Sequence, residues 1–387
     1  MKLKYGCNPH QSNASYEFID ENNKPFEVLN GQPGYINLMD ALNAWQLVHE
    51  VRQSLNLPAA TSFKHVSPAG AAVAVEMDEE LKKVYGFAGE ELSPAATAYL
   101  RARGADPSSS FGDFIALSDE VDVATATILS KVVSDGIIAP SYNEEALKIL
   151  SAKKKGGFIV LKANTDYKPE GEEVRDLFGI RLSQTRNAEL VTEKHISKIV
   201  SGSQDLSDDA KRDLILGLIT LKYTQSNSVG YAKDGQMIGI GAGQQSRVDC
   251  TKLAGRKVVN WYLRQHDKVK ALTFKEGVKR QDQINWRLRY CEGDMTAEET
   301  KIFESLLENT PENFTEMEKK EWLKTLSEVS FVSDAFIPFR DNIDHAVKYG
   351  VKYIAHTGGS VRDDLVNEAA AEYGITMVHT GIRLFHH

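Results

Sequence analysis

The 387-residue sequence has few cysteines, no long apolar run and no excess of basic charge. Its three cysteines, Cys7, Cys250 and Cys291, lie far apart, so they form neither a disulfide framework nor a Cys-x-x-Cys metal knuckle. The amino terminus lacks the apolar segment of a signal peptide, and the longest apolar segment, LILGLITL, is less than half a membrane span. We therefore expect a cytoplasmic protein without a membrane partner.

Basic charge is also too sparse for a nucleic-acid partner. Acidic residues outnumber basic ones by 54 to 46, which gives a formal net charge of -8, and no Lys/Arg run could follow a phosphate backbone. Hydrophobic residues make up 42% of the chain, and the 11 prolines and 28 glycines are too few for a low-complexity protein. The length is sufficient for two or three folded domains.

Alternating hydrophobic patterns predict an α/β fold with two lobes. Between residues 114 and 162, apolar runs typical of strands alternate with amphipathic segments of helical length, and residues 351–380 repeat this pattern. We predict a first lobe at 1–170, a connector at 171–264 and a second lobe at 265–387. Within these, the spacing predicts a helix at 37–55, a hairpin turning at Asp234-Gly235 and mostly surface helix at 265–325.

The segment SFKHVSPAG places a lysine beside a histidine at the end of a β-prone run. We expect Ser67, Pro68 and Gly70 to stop this strand, and the alanine-rich sequence that follows to start a helix. Imidazole can accept a proton near neutral pH, and an ammonium group can stabilise a developing anion. Lys64 and His65 would face opposite sides of a regular strand, so joint action requires the strand to break there. A surface lysine beside a structural histidine is the alternative.

Glycine and polar residues are densest in KYTQSNSVGYAKDGQMIGIGAGQQSR. The Gly-x-Gly-x-Gly run leads to Arg247 at a helix start, where free N–H groups and a guanidinium suit a phosphate or carboxylate. The spacing fails the dinucleotide fingerprint, and close packing of strand glycines is an equal alternative. Asn227 can bind a ligand through its amide or cap a turn.

Three further groups of residues carry side chains that could take part in chemistry. SDAFIPFRDN offers aromatic side chains that could stack on a flat heterocycle, although core aromatics beside a salt-bridged arginine are the favoured alternative. GIRLFHH offers Arg383 and two histidines for an anion or metal site, although a frayed terminus is the usual alternative. The acids at element ends, Asp113, Asp119 and Asp135, have capping as their ordinary role. No zinc signature is present, and Cys250 is predicted to be a buried, inert thiol.

Nine segments, in order along the whole chain, resemble the 5-aminoimidazole-4-carboxamide ribonucleotide (AICAR) transformylase half of the bifunctional purine-biosynthesis enzymes. They are YGCNPHQ, LNGQPGYINLMDALNAWQLV, SFKHVSPAG, SSFGDFIALSD, VSDGIIAP, KYTQSNS, GIGAGQQSR, SDAFIPFRDN and RLFHH. The resemblance implies two cytidine-deaminase-like α/β/α lobes joined by a connector. It also implies a homodimer with active sites at its interface.

The resemblance further implies formyl transfer from 10-formyltetrahydrofolate to the 5-amino group of AICAR. His65 matches the proton acceptor of the family and Lys64 the transition-state stabiliser. The residues that match nucleotide contacts are Lys4, Tyr5, Gly112, Asp135, Asn227, Arg247, Asp341 and Arg383. Those that match the folate side are Val248, Phe336, Ser360 and Val361. A potassium ion is implied near Ser226, Ser228, Asp334 and His387.

Two departures from the family pattern qualify these expectations. Lys4 stands where the bifunctional members have arginine, so a phosphate would meet a point charge instead of a bidentate fork. The cyclohydrolase domain that precedes this half in the family is absent from the sequence, so no ring closure to inosinate is expected. Either a separate IMP cyclohydrolase or a longer parent protein would supply that step.

Three alternative interpretations remain open. In one, Lys64 is a Schiff-base lysine and the glycine run holds pyridoxal phosphate, although the preferred interpretation includes neither pyridoxal phosphate nor zinc. In another, the protein senses AICAR without turning it over, which the intact Lys64-His65 pair argues against. In the third, a ligase-like variant uses another formyl donor, such as formate with ATP.

Overall fold

The computed structural model describes all 387 residues, and twelve of its fourteen strands form a single sheet. Strands of the first half are β1 (Phe26–Asn30), β2 (Ala59–Lys64), β3 (Ser67–Val73), β4 (Asp113–Leu117), β5 (Ser134–Ala139) and β6 (Ile159–Ala163). A separate hairpin consists of β7 (Glu172–Leu177) and β8 (Ile180–Thr185). The remaining strands are β9 (Ile199–Ser201), β10 (Val229–Lys233), β11 (Gln236–Gly241), β12 (Val329–Ser333), β13 (Val351–His356) and β14 (Thr376–His379).

Thirteen α-helices cover the sheet or connect its strands. Those of the first half are α1 (Tyr35–Leu55), α2 (Glu79–Tyr85), α3 (Pro94–Ala105), α4 (Val123–Ser130) and α5 (Glu144–Ala152). Those that follow are α6 (Asp208–Lys222), α7 (Arg247–Leu263), α8 (Asp267–Lys270), α9 (Arg280–Glu292), α10 (Ala297–Leu306), α11 (Glu316–Leu323), α12 (Asp341–Ala346) and α13 (Asp363–Glu372). Short 3-10 turns occupy Lys153–Gly156, Glu193–Ile196 and Val347–Tyr349.

The sheet consists of two halves with the same topology. Its strand order is β1-β6-β5-β4-β2-β3-β11-β10-β12-β13-β14-β9. In each half an antiparallel hairpin lies at the centre, three parallel strands follow, and an antiparallel strand forms the outer edge. The halves meet where β3 and β11 pair antiparallel, at Ala72 and Gln236. Each half is therefore rotated by about half a turn relative to the other.

Helices pack on both faces of the sheet. One core joins α1 and α6 to the sheet across both halves, so these two helices share a face. The opposite face carries a core against α3, α4 and α5 and a second core against α7, α12 and α13. The helices α8–α11 enclose a small apolar cluster of their own around Phe303 and Tyr290. The result is a three-layer α/β/α arrangement with a helical insertion.

Glycines at matching positions let one helix of each half approach the hairpin closely. A Cβ on Gly70 of β3 would lie 2.0 Å from the Ala102 carbonyl oxygen of α3. A Cβ on Gly239 of β11 would lie 2.4 Å from the Ala254 carbonyl oxygen of α7. The Gly-x-Gly-x-Gly run therefore starts as buried strand whose glycines serve close packing, in agreement with the packing alternative.

Most of the predicted elements are present. The α/β class is confirmed, α1 covers the helix predicted at 37–55, and the hairpin turns at Asp234-Gly235. The predicted stop at Ser67 was wrong, because β3 begins at that residue and no helix forms from the alanine-rich sequence. Pro68 is tolerated since it lies beside a register shift in β2–β3 and away from the single pairing with β11.

The division into two lobes and a connector stays a prediction. The strand order adds that β9, β10 and β11, which lie within the predicted connector, are hydrogen-bonded members of the second half of the sheet. The segment 265–325 is mostly helical, as predicted. None of the helices combines the length and apolar composition needed to cross a membrane.

Adding a methyl group at Gly239 is expected to destabilise the fold. The Gly239→Ala variant should lose about 1–3 kcal/mol of unfolding free energy, because its Cβ would overlap the backbone of α7. Gly171→Ala, which has no atom within 4 Å of the added Cβ, is the matched control and should stay within about 0.5 kcal/mol of the wild type. Urea unfolding of both variants provides the measurement, and equal midpoints would contradict the close-packing interpretation.

Candidate active site

The Lys64-His65 pair lies at a tight turn between β2 and β3. Lys64 pairs with Ser67, and the two residues between them, His65 and Val66, have φ angles of 53° and 60°. This is the left-handed geometry of a two-residue hairpin turn, which usually requires glycine or asparagine. A β-branched residue in this region is strained. The strand therefore breaks where joint action of Lys64 and His65 requires it to break.

The Lys64 side chain is held by the loop that precedes β4. Its Nζ donates a hydrogen bond of 2.9 Å to the carbonyl oxygen of Gly112, whose φ angle is 73°. A Cβ at Gly112 would lie 3.2 Å from the Lys64 Nζ. The glycine thus permits both the backbone conformation and the approach of the ammonium, while the His65 side chain is exposed.

A buried carboxylate on α1 accepts a hydrogen bond from the turn. The Val66 N–H donates to Asp40 Oδ1 over 2.6 Å, and Asp40 is only 5% exposed. Burial raises the pKa of Asp40 to about 6, although hydrogen bonds from the Val66 and His65 backbone and the charges of His65 and Lys64 oppose that rise. Asp40 therefore couples α1 to the turn that carries His65.

Tyr5, Gly112 and Asp135 surround the same edge of the first half. Tyr5 donates its hydroxyl hydrogen to Asn37 Oδ1 over 2.8 Å, and burial, followed by the negative charge of Asp135, raises the pKa of the Tyr5 hydroxyl. Asp135, at the start of β5, accepts a short hydrogen bond from Lys154. Lys4 is exposed, with its side chain free of hydrogen bonds within the chain.

In the second half, Arg247 forms a buried ion pair with Asp334. The Nη1 of Arg247 lies 2.6 Å from Asp334 Oδ1, and its Nη2 donates to Asn227 Oδ1 over 2.6 Å. Arg247 is 8% exposed, and Asp334 also accepts hydrogen bonds from Ser226 Oγ, Ser228 N and Ser228 Oγ. Arg247, predicted to meet a nucleotide, is thus engaged by a carboxylate and holds Asn227 in place.

The carboxyl terminus packs against the KYTQSNS loop. The Ser226 N–H donates to the His386 carbonyl oxygen over 3.0 Å, and the His386 N–H donates back to Ser226 Oγ over 3.1 Å. The Leu384 N–H donates to the Asp334 carbonyl oxygen over 2.8 Å. These bonds bring the terminal RLFHH segment to the same place as Asn227, while the Arg383 guanidinium lies over the exposed Phe385 ring.

The residues predicted to contact folate lie on an exposed surface of the second half. Phe336 is 44% exposed and Val361 is fully exposed, while Ser360 and Val248 are half-buried. The loop before α13 is fixed by Asp363, whose carboxylate accepts hydrogen bonds from the backbone N–H groups of Gly359 and Ser360. Asp341, which was predicted as a nucleotide contact, begins α12 and accepts a hydrogen bond from the Asn342 side chain over 2.8 Å.

The predicted residues of the first half and those of the second half lie at the same end of the strands, which we call the shared edge. The Gln225 N–H donates to Ser67 Oγ over 3.4 Å, which joins the KYTQSNS loop to the hairpin that carries His65. Because β3 and β11 are antiparallel, the β2–β3 turn lies beside the start of β10 and the carboxyl ends of β12, β13 and β14. The structure thus brings the predicted residues of both halves to the same side of the molecule.

Two cavities lie apart from these residues. One of about 440 Å³ is lined mainly by apolar side chains around Tyr16, Phe18 and Phe26. Another of about 550 Å³ lies at the opposite sheet edge, beside Asp234, Arg212 and Trp261. Neither cavity is lined by a residue that the sequence predicted for the site.

The structure also defines the surroundings of Cys250 and of the side chains that commonly bind metals. No group of three or more His, Cys, Asp or Glu side chains is arranged to hold a metal ion. Cys250 is buried, its Sγ lies 3.3 Å from the Asn227 carbonyl oxygen, and burial raises the pKa of its thiol to about 12. The predicted burial of Cys250 is confirmed, and the prediction that its thiol is unreactive stays a prediction.

Sequence reasoning missed three residues that shape the site. These are Asp40, Asn37 and Ser67, which hold the turn, Tyr5 and the junction of the two halves. A signal for Asp40 was available, since the carboxylate falls in the apolar stripe of α1 with Ala44, Leu47 and Val51. An acid at a core position needs a partner, and only the fold identifies it as the turn.

Comparison with known proteins places this two-halved α/β chain, with its Lys-His turn, in a family. Residues 1–257 match the family described as AICARFT/IMPCHase bienzyme, so the chain belongs to that family. It is 31% identical to the bifunctional purine biosynthesis protein PurH of Persephonella marina, 30% to that of Magnetococcus marinus and 32% to that of Xylella fastidiosa. Each alignment covers 100% of this chain, which spans 58% to 59% of the relatives' length.

The buried His356 predicts a pH dependence of stability. Its Nδ1 accepts the Ile337 N–H over 3.2 Å and its Nε2 has no hydrogen-bond partner. Burial is the largest cause that lowers the pKa of His356 from 6.5 to about 3. The charges of His379 and Arg247 also lower this pKa, whereas the charge of Asp363 raises it. Below pH 6.5 the unfolded chain binds a proton that the folded chain does not, so the unfolding free energy falls with falling pH.

We expect the His356 contribution to this loss to approach about 1.4 kcal/mol per pH unit as the pH falls from 6.5 to 5. In His356→Asn, whose Oδ1 can accept the Ile337 N–H, the decline should be shallower by that amount. The exposed His10, changed to Asn, serves as the control and should keep the wild-type slope. The unfolding free energy is measured by urea unfolding across this pH range. If its dependence on pH is the same in all three proteins, His356 does not change its protonation on unfolding.

Proposed function

We propose that the chain transfers a formyl group from 10-formyltetrahydrofolate to the 5-amino group of AICAR, as a step of purine biosynthesis in the cytoplasm. Family membership supports the reaction class, and the curated relatives are purine biosynthesis proteins. The observation that carries the proposal is the strained β2–β3 turn, which presents a histidine and a lysine side by side at the edge shared by both halves.

The proposed chemistry uses these two side chains in complementary roles. The amine of AICAR is a weak nucleophile because its lone pair is conjugated with the imidazole ring. As the new C–N bond forms at the formyl carbon, His65 accepts a proton from the amine. The Lys64 ammonium stabilises the oxyanion and the departing folate nitrogen, which takes up a proton when its bond to the formyl carbon breaks. The products are the formamido nucleotide and tetrahydrofolate.

The two substrates are assigned to neighbouring parts of the shared edge. We assign the nucleotide to Lys4, Tyr5, Gly112, Asp135, Asn227, Arg247, Asp341 and Arg383, and the folate to Val248, Phe336, Ser360 and Val361. Exposure of Phe336 leaves an aromatic face open to a pterin. We further propose a homodimer that completes the site, because five of these contact residues are exposed on the surface of one chain: Lys4, Tyr5, Phe336, Val361 and Arg383.

A potassium ion and a cyclohydrolase partner are part of the same proposal. Ser226, Ser228 and Asp334 supply hydroxyl and carboxylate oxygens, the donor type that suits a hard monovalent cation, whereas His387 is an exposed terminal residue. When bound, the cation would supply positive charge near the Arg247–Asp334 pair. A separate IMP cyclohydrolase, or a longer parent protein, would close the formylated product to inosinate.

The first experiment is a formyl-transfer assay. The purified chain is mixed with AICAR and 10-formyltetrahydrofolate, and the formation of tetrahydrofolate is followed. The products are identified by mass spectrometry. Formylated nucleotide without inosinate is expected. Turnover only with formate and ATP would replace the folate by another donor, while binding of AICAR without turnover in either mixture would overturn the enzymatic proposal in favour of a sensor.

Replacement of His65 should affect turnover more than binding. We expect His65→Ala to lower kcat by about 100-fold to 10,000-fold, with a change in KM below about tenfold, because proton acceptance matters in the transition state. His49→Ala, on the outer part of α1 where the ring hydrogen-bonds Gln53, is the matched histidine control. Steady-state kinetics of both variants are compared, and wild-type kcat in His65→Ala would refute the assignment.

Exchange of the monovalent cation tests the proposed ion. Replacing potassium by tetramethylammonium at equal ionic strength should reduce kcat severalfold, because the larger ion cannot fit among serine and carboxylate oxygens. A Ser228→Ala variant should respond less to the exchange, since it lacks one proposed ligand. If kcat is the same in both salts, the potassium proposal fails while the formyl-transfer proposal stands.

A further inference from the structure

The turn that carries His65 is held in a conformation that its own sequence disfavours. Both of its central residues, His65 and Val66, have positive φ angles, and Val66 is β-branched. Conformations of this kind are unfavourable for such residues and persist only where surrounding contacts enforce them. The turn therefore needs a contact that offsets the strain.

Asp40 supplies a contact of the required kind. Its Oδ1 accepts the Val66 N–H over 2.6 Å, from a position on α1 that is fixed by the core on both sides. Hydrogen bonds to a charged group are stronger than those between neutral groups, so this contact can offset strain of that kind. In the left-handed conformation of the turn, the Val66 N–H points at this carboxylate on α1.

The second half of the molecule contains the same arrangement without the strain. There the Asp213 carboxylate accepts a hydrogen bond from the Gly235 N–H over 2.7 Å, as Asp40 does from the Val66 N–H. Asp213 is the sixth residue of α6, and Asp40 is the sixth residue of α1. The second turn is Asp234-Gly235, with φ angles of 53° and 73°. That sequence adopts the left-handed geometry readily, so this turn depends far less on its carboxylate.

The two carboxylates also differ in their charged neighbours. Asp213 forms an ion pair with Arg212 Nε over 3.0 Å, on its own helix. At the matching position of α1 the chain has Met39, and the cations that act on Asp40 are those of His65 and Lys64. The carboxylate in the first half is thus directed at the proposed catalytic pair, whereas the one in the second half is neutralised locally.

We propose that Asp40 is a positioning residue for the formyl-transfer site, and that it acts by holding the His65–Val66 turn in its left-handed conformation. This inference rests on the proposed function of that turn. Asp40 touches no substrate in this role, and its effect on turnover passes through the placement of the His65 imidazole and the Lys64 ammonium. A displacement of about 1 Å in such groups can cost about 100-fold in rate.

Three variants test this role by kinetics. Asp40→Ala should lower kcat about 30-fold to 100-fold with KM changed less than about threefold. Asp40→Asn, whose amide oxygen can still accept the Val66 N–H, should stay within about fivefold of wild-type kcat. Asp40→Ala combined with Val66→Gly, which copies the turn of the second half, should recover at least about tenfold over Asp40→Ala alone.

Asp213→Ala is the matched control in the same protein. It removes the corresponding hydrogen bond from the Asp234-Gly235 turn, so it should lower stability but leave kcat unchanged. Wild-type kcat in Asp40→Ala would overturn the proposal. So would an equal loss in Asp40→Asn and Asp40→Ala with no recovery in the double variant, since that pattern would mean that the charge, and not the turn, is what matters.

Hydrogen exchange separates this inference from the proposed function, because it requires no substrate. Measured by mass spectrometry, the amides of the His65–Val66 turn should exchange about tenfold faster in Asp40→Ala and at the wild-type rate in Asp213→Ala. If the wild type fails to turn over AICAR but this difference is found, the proposed function fails and the control of the turn by Asp40 stands. Unchanged exchange in Asp40→Ala overturns the positioning role itself.

Discussion

The antiparallel pairing of β3 with β11 determines where everything else in the molecule lies. It joins two halves of equal topology so that one is rotated relative to the other in the plane of the sheet. The hairpin turn of the first half consequently faces the same way as the carboxyl ends of the parallel strands in the second. Since each half contributes different side chains at that edge, neither half could form the candidate site alone. A parallel junction would have placed the two groups of residues at opposite edges.

Buried polar groups then fix the side chains at this edge. The Arg247–Asp334 pair, Asp40 and the Gly112 carbonyl oxygen each hold a backbone segment or a cation that would otherwise be free. Buried charges are expensive unless they are paired and hydrogen-bonded, so these contacts leave few alternative arrangements. The cost also explains why Arg247 is already engaged within the chain, although its type suggested an anion-binding residue. His65, Phe336 and Val361 stay exposed beside these contacts, where ligands or another subunit can reach them.

The same contact between a helix carboxylate and a hairpin turn occurs in both halves of the molecule, but the two turns differ in sequence. A carboxylate in the sixth position of a helix accepts the turn N–H in both halves, but only one turn has residues that suit its geometry. The Asp-Gly sequence of the second turn is typical of a two-residue hairpin, so the hairpin at Asp234-Gly235 was predicted. The His65-Val66 turn was not, because its residues favour extended backbone and the neighbouring proline suggested a stop. Strain of this sort, offset by a distant carboxylate, is invisible to local pattern reasoning.

The sequence by itself determined the α/β class, the long helix α1, the hairpin at Asp234-Gly235 and the motifs that identify the family, because each depends on local periodicity or on residue identity. The tertiary structure decided which residues meet. It turned Ser67 from a strand stop into a junction with Gln225, gave Arg247 a buried partner 87 residues away in Asp334, and set Asp40 against the turn of His65. The physical reason is the same in each case: these contacts join segments far apart in the chain, and no local preference encodes the pairing of a particular donor with a particular acceptor.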